Sequence, residues 1–257
     1  LHSEGVKHTL FDYTLADATP EEVADTLSTI VEHHPNEVVW VQHVEARQRP
    51  SDSSLVGDCL VSDLRIQPLQ GTEIASQLDA LADVRIKVFR AFPYLYEGSR
   101  DYEAHYLDLY VQCPRSLAIL VWDGERCIGA STVLPLADAG TDAQAPFIAG
   151  GHAIDEIDYF GESVLLPEYR GHGLGVKFFE LREAHAASLG LKVCAFCSVQ
   201  RPDDHSMKPD GYVPNDRFWG KRGYLKAPEI VTTFSWPDIG ETESTAKPMT
   251  FWLRKLP

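Results

Sequence analysis

The sequence predicts a mixed α/β fold, and three stretches carry that expectation. Residues Tyr159 to Gly190 pass from a strand-like run through a glycine-rich turn into an amphipathic helix whose apolar positions include Leu174, Phe178, Leu181 and Leu189. Ser116 to Leu136 reads as two apolar strands joined at an Asp123-Gly124 hairpin turn. Ile74, Leu78, Leu81, Val88 and Phe92 recur at helical spacing with one buried face. With 257 residues, 44% of them hydrophobic and 24% charged, the chain can bury a sizeable core around such elements.

Taken in order, residues 1–63 form an N-terminal extension of unassigned role. Thr19-Pro20-Glu21-Glu22 has the pattern of a helix start, with a capping threonine, proline at the first helical position and glutamate three residues after the cap. Val23, Leu27, Ile30 and Val31 continue that helix to His33-His34-Pro35-Asn36, and Glu37 to Val44 reads as a strand. The paired histidines lack a carboxylate or cysteine at ligand spacing, so a solvated helix end is expected there and no metal. Arg49 to Ser54 is a polar linker, which divides the chain into 1–63 and a domain over 64–257.

In that domain Leu64 to Leu69 alternates as a strand, and the helix after it ends at Pro93. Pro93 to Gly98 is an aromatic loop, with a second helix expected from about Arg100 to Tyr110. Ala137 to Ile157 is rich in Ala, Gly and Asp without clear period and is read as a long loop. Lys192 to Val199 is strand-like, and Gln200 to Pro214 is kept out of regular structure by three prolines. A short helix capped by Asn215 precedes Gly223-Tyr224. Ile230 to Trp236 and Met249 to Leu253 supply closing strands, with Thr242 to Lys247 as a polar connection.

The turn in the central stretch is Arg170-Gly171-His172-Gly173-Leu174-Gly175, preceded by Leu165-Leu166-Pro167-Glu168-Tyr169. Glycines at a helix start expose backbone N–H groups where the helix dipole is positive, which suits a phosphate or pyrophosphate. The spacing is not the dinucleotide-binding G-x-G-x-x-G, and the Gly-Lys-Ser/Thr of a P-loop is absent. Strand, proline, arginine, glycines and helix in this order resemble the R-x-x-G-x-G signature of the GNAT superfamily of N-acyltransferases. Asn215 to Tyr224 resembles that family's second motif. The resemblance covers residues 64–257 and implies a mixed, mostly antiparallel sheet of about six to seven strands, flanked by helices and splayed at its central strands. The 1–63 segment would add an extra helix and strand.

Composition narrows the partners. Net charge is −15, with 3 Lys/Arg against 12 Asp/Glu in residues 1–63 and 20 against 26 in the remainder. An acidic surface disfavours nucleic acid and acidic membranes and attracts amines weakly. No apolar run reaches the roughly 20 residues of a bilayer span, and no basic-then-apolar leader pattern opens the chain, so a cytoplasmic location is expected. Five cysteines do not suggest a disulfide framework, and Cys194 and Cys197 lie three apart in a strand, on opposite faces, unlike a redox pair at a helix start.

The resemblance implies acyl transfer, with acetyl the expected group, from acetyl-CoA to a primary amine on a small molecule or a protein, by direct attack in a ternary complex without a metal. The coenzyme contacts carried over are the backbone of Val164, Leu165 and Leu166, the loop Arg170, Gly171, His172, Gly173, Leu174 and Gly175, and Asn215. The candidate base is Glu162 on the same strand, where burial would raise a lone carboxyl; an ion pair with a basic side chain, or the capping of a turn, is the other reading of it. Asp204 and His205 stand in reserve. The family's usual acid is a tyrosine at the position occupied here by Trp219, so Tyr212, Tyr224, water or the ammonium product must serve instead. Tyr94, Tyr96 and His205 are the candidate acceptor contacts. A homodimer is compatible with the resemblance, and a non-catalytic acyl-CoA-binding module is the alternative function.

Overall fold

In the computed structural model the described residues are 64–257; the helix, strand, histidine pair and linker expected within 1–63 lie outside them. Seven strands form one sheet in the order β1-β2-β3-β4-β5-β7-β6. They are β1 (Arg65–Gln70), β2 (Leu117–Asp123), β3 (Arg126–Pro135), β4 (Ile157–Leu165), β5 (Val193–Val199), β6 (Leu225–Trp236) and β7 (Thr245–Lys255). All neighbours are antiparallel except β4 and β5, which run parallel. The helices are α1 (Leu78–Phe89), α2 (Arg100–Gln112), α3 (Thr141–Ala149), α4 (Leu174–Ser188) and α5 (Asp216–Lys221).

The β2–β3 hairpin forms where its continuous apolar runs predict, because both strands are buried on both faces. Three expectations are corrected. Gly71–Gln77 is a 3-10 segment, so α1 starts at Leu78, and it ends at Phe89, before Pro93. The expected loop over 137–157 contains α3, which carries Pro146 internally and is pinned by the fully buried Phe147 against Phe251, ring centroids 4.8 Å apart. Strands β6 and β7 are longer than their apolar cores. Lys247 is buried inside β7, where its ammonium donates to the Trp236 carbonyl, 3.2 Å.

Side chains of β4 alternate between two helical layers. Asp158 and Phe160 face α4, where they meet His185 and Phe179, and Glu162 faces α2 through Tyr106. Strict alternation would send Glu162 toward α4 with Asp158 and Phe160. The exception arises because Ser131 pairs with Ser163 but Val133 with Phe160, so Gly161 and Glu162 together oppose Thr132. This β-bulge turns the Glu162 side chain to the other face. Among the described residues no helix is long and apolar enough to cross a membrane.

Candidate active site

Strands β4 and β5 pair only over Ile157–Tyr159 against Val193–Ala195 and then part. Beyond that point the edge of β4 facing β5 is free of a ladder. The Leu166 N–H donates to the Ile128 carbonyl, 2.9 Å, and is therefore not free, correcting its place in the expected donor set. Alternation puts Val164 on that same β3 side, so Leu165 and Ser163 turn their backbone groups to the gap. The Leu165 carbonyl accepts from Arg170 Nε, 3.1 Å.

At the end of β4, Pro167–Tyr169 makes a single turn whose Tyr169 hydroxyl donates to Asp123 Oδ2, 2.6 Å. The loop then reverses through Gly171 and Gly173, with φ of 86° and 80°, values a β-carbon disfavours. Gly173 is the N-cap of α4, and no side chain caps that helix. No atom lies within 4 Å of where a Cβ would stand at Gly171 or Gly173, while Gly175 faces Phe218 at 3.3 Å. Open space at two glycines, uncapped N–H groups and the exposed Arg170 and His172 fit an anionic pyrophosphate. Asn215 occupies the N-cap position of α5, but its side chain makes no capping hydrogen bond, correcting that expectation.

Glu162 is 6% exposed. Its Oε2 is ion-paired with Arg85 and accepts from the Tyr106 hydroxyl, 3.0 Å, while Oε1 is buried without a hydrogen-bond partner. Arg85 is held on its other side by Glu103, Nε to Oε2 2.5 Å, and its guanidinium lies 4.2 Å from the Tyr106 ring centroid. Burial alone would lower Arg85, but Glu162, Tyr106 and Glu103 outweigh it and raise it well above its ordinary value. The carboxylate is thus both buried and paired, combining the two readings of Glu162. Behind the bulge, the Glu162 carbonyl accepts from Ser131 Oγ, 2.8 Å, and from Arg182 Nη1, 3.3 Å. Arg182 is itself buried over Phe160, which pulls it down to about 10.

The tyrosine candidates separate. The Tyr224 hydroxyl donates to Glu183 Oε1, 3.0 Å, among Phe160, Phe179 and Phe196 on the α4 side of the sheet. It does not share the face of Glu162, which corrects its candidacy as acid. Trp219 packs edge-on against Phe196 and Trp252, both at 5.1 Å. Tyr212 is half-buried against Phe92, 4.8 Å, and burial raises its phenol. Tyr96 is buried in contact with Tyr102, 5.7 Å, and is packing rather than an acceptor contact. Tyr94 lies between Phe89, 4.5 Å, and Trp236, 5.9 Å. His205 sits 5.7 Å from Phe92, and its Nδ1 accepts the Met207 N–H, 3.2 Å.

Cys194 and Cys197 do point to opposite faces, with Cys197 Sγ 3.5 Å from the Tyr159 hydroxyl. Burial pushes both thiols up to about 12, against redox use. No group of three or more metal-ligating side chains occurs among the described residues. A cavity of about 270 Å³ lies between α4 and α5, lined by Glu183, Arg222 and Arg254 among others, away from the Glu162 face.

Arg85, Glu103, Ser163 and Arg182 surround the candidate site without being indicated by the motifs. Arg85 did leave a signal, a charge inside the apolar stripe of Leu78, Leu81 and Val88.

No protein-family model matches this chain, and no curated protein matches its sequence. Solved structures are similar. An N-acetyltransferase from Staphylococcus aureus superposes with a TM-score of 0.50 at 10% identity, over 76% of this chain and 100% of its own. An acetyltransferase of the GNAT family from Streptococcus pneumoniae gives 0.47 at 10% identity, over 76% and 100%. An aminoglycoside 6'-N-acetyltransferase complexed with coenzyme A gives 0.46 at 13%, over 75% and 98%. The parted parallel pair, the bulge in β4 and the glycine turn into α4 belong to one mostly antiparallel sheet flanked by helices. The described chain has the GNAT fold.

Proposed function

We propose that this protein is an acyl-CoA-dependent N-acyltransferase that moves an acyl group, acetyl in the simplest case, to a primary amine in a ternary complex. The observation that carries this reading is the unpartnered, buried Glu162 Oε1 on the strand whose edge opens toward β5. The strand that carries this proton acceptor also has the unpaired edge and leads into the phosphate-fitting loop.

Bound acyl-CoA supplies an activated thioester. The loop from Gly171 to Gly175 and Arg170 would hold its pyrophosphate, and the Leu165 and Ser163 backbone would bond its pantetheine arm. Glu162 Oε1 takes the proton of the incoming ammonium, directly or through water, while Arg85 and Tyr106 fix the carboxylate through Oε2. Tyr212 is the remaining side-chain candidate for the acid. A thiol with an ordinary value of about 8.5 is a good leaving group, so that role is light.

Thermal melting with and without acetyl-CoA, followed by thiol release across a panel of amines, tests the reading. A ligand at a hundred times its dissociation constant adds about 2.7 kcal/mol of stability. A shift with thiol release supports transfer; a shift with none for any amine favours the binding-module alternative, and no shift removes the coenzyme assignment.

A further inference from the structure

The face that Glu162 shares with α1 and α2 carries more than a base. Glu103, Arg85 and Glu162 form a buried line of two carboxylates about one guanidinium, exposed by 0%, 5% and 6%. Among these three groups one negative charge is in excess, Arg182 reaching only the Glu162 carbonyl from the other face, and Glu162 Oε1 is buried without a hydrogen-bond partner while Glu103 also meets the Tyr96 hydroxyl. A buried charge left uncompensated is costly, and one cation would relieve it.

Aromatic rings continue outward from this line. Tyr106 stacks on Arg85, Phe89 lies 5.2 Å from the same guanidinium, and Tyr94 bridges Phe89 to Trp236. Cys197 and Val199 of β5 pack into the same cluster. The cations of this region are already engaged. Arg201 forms a two-pronged pair with Asp238, 2.7 and 2.8 Å, and Lys247 lies 3.4 Å from Asp238 Oδ1. Neither is free to meet a substrate carboxylate. Asp203, Asp204 and Asp210 of the 200–214 segment are exposed, where salt screens their attraction for additional cationic groups.

We propose that the acceptor is a monoamine with an aromatic or apolar body and no second charged group, its single ammonium completing the Glu103–Arg85–Glu162 line and its body lying on Tyr94 and Trp236. This names the acceptor class of the site assigned above and rests on that reading. An amino acid would bring a carboxylate with no unengaged cation among those named. A polyamine or aminoglycoside would bring several cations to one excess charge.

The test is calorimetric titration of the full chain saturated with coenzyme A, together with thiol release from acetyl-CoA, using 2-phenylethylamine, L-phenylalanine, spermidine and tobramycin. 2-Phenylethylamine is expected to bind tighter and to show a higher kcat/KM than each of the others by about tenfold or more, the scale of one well-fitted apolar group. Tyr94→Ala, or the bulkier Tyr94→Leu should alanine prevent folding, is expected to weaken its binding by a similar factor while coenzyme affinity stays. Preference for L-phenylalanine, spermidine or tobramycin, or no binding of 2-phenylethylamine, overturns the proposal. Binding of 2-phenylethylamine with no thiol released from any amine instead overturns acyl transfer and leaves the acceptor pocket standing.

Discussion

The hydroxyl of Tyr110 lies 1.9 Å from where a Cβ on Gly161 would stand. Gly161 is the first of the two bulge residues, and Tyr110 is almost fully buried on α2. The bulge that aims Glu162 therefore depends on a missing side chain. Gly161→Ala should destabilise by about 1–3 kcal/mol, the usual cost of overpacking. Tyr110→Phe in the same chain should recover part of that loss, since the clash is sharpest at the hydroxyl. Additive losses in denaturant unfolding would show that the two do not press on each other.

Glu162→Gln keeps the shape of the side chain and removes its capacity to take a proton. Turnover is expected to fall by about 10²–10⁴-fold, the usual worth of a general base, with coenzyme affinity nearly unchanged. Unchanged turnover would take Glu162 out of the mechanism.

Gly173 has φ of 80° and faces open space, so Gly173→Val places a branched side chain in the proposed anion site and costs about 1–3 kcal/mol of backbone strain. Coenzyme binding should be lost in calorimetry. Retained affinity would mean the loop does not hold the pyrophosphate.

Tyr224→Phe removes a hydroxyl that donates to Glu183, which Arg254 Nη1 still pairs at 2.6 Å. A stability loss of about 0.5–1.5 kcal/mol is expected, with turnover unaltered. A fall as large as that for Glu162→Gln would restore Tyr224 as a proton donor.

Arg201 fastens the aromatic loop from both sides. It donates to the Pro93 and Tyr94 carbonyls, each 2.8 Å, and pairs with Asp238. Burial alone would raise the Asp238 carboxyl, but Arg201 and Lys247 hold it below its usual 3.8. A depressed carboxyl stabilises above its unfolded value and loses that contribution as pH falls through the folded one. Arg201→Met should thus cost about 1–3 kcal/mol near neutrality, with the Tm gap to the parent chain narrowing as pH drops below 3.8 to the part held by the two carbonyl hydrogen bonds. A gap that is constant down to acid pH would argue against the Asp238 pair as its source.

Much of the fold is legible because local pattern and final burial agree. The β2–β3 hairpin follows from continuous apolar runs about Asp123-Gly124, and α4 from glycines followed by an apolar period. Helix α3 was hidden by Pro146 and by its Ala-rich composition, and a single buried ring, Phe147, holds it. The proposed coenzyme loop is a contiguous motif, so its residues can be read in a line. Glu162 inherits its place from that motif, but its partners Arg85 and Tyr106 come from two other helices. Only the bulge, invisible in composition, brings them to one face. Tyr224 misleads for the same reason: a strand position does not reveal its face until the register is known.

The clamp at Arg201 has a temporal side. The Arg170 contact to Leu165 closes five residues, whereas Arg201 reaches Tyr94 across 107 and Trp236 reaches Tyr94 across 142. Short loops close early and long ones late. On that ordering the Arg170–Leu165 contact closes before Arg201, Trp236 or Asp238 is brought to the aromatic loop. The aromatic loop is fastened only once the stretch through Lys247 has joined it, so the turn after β4 closes before the clamp does.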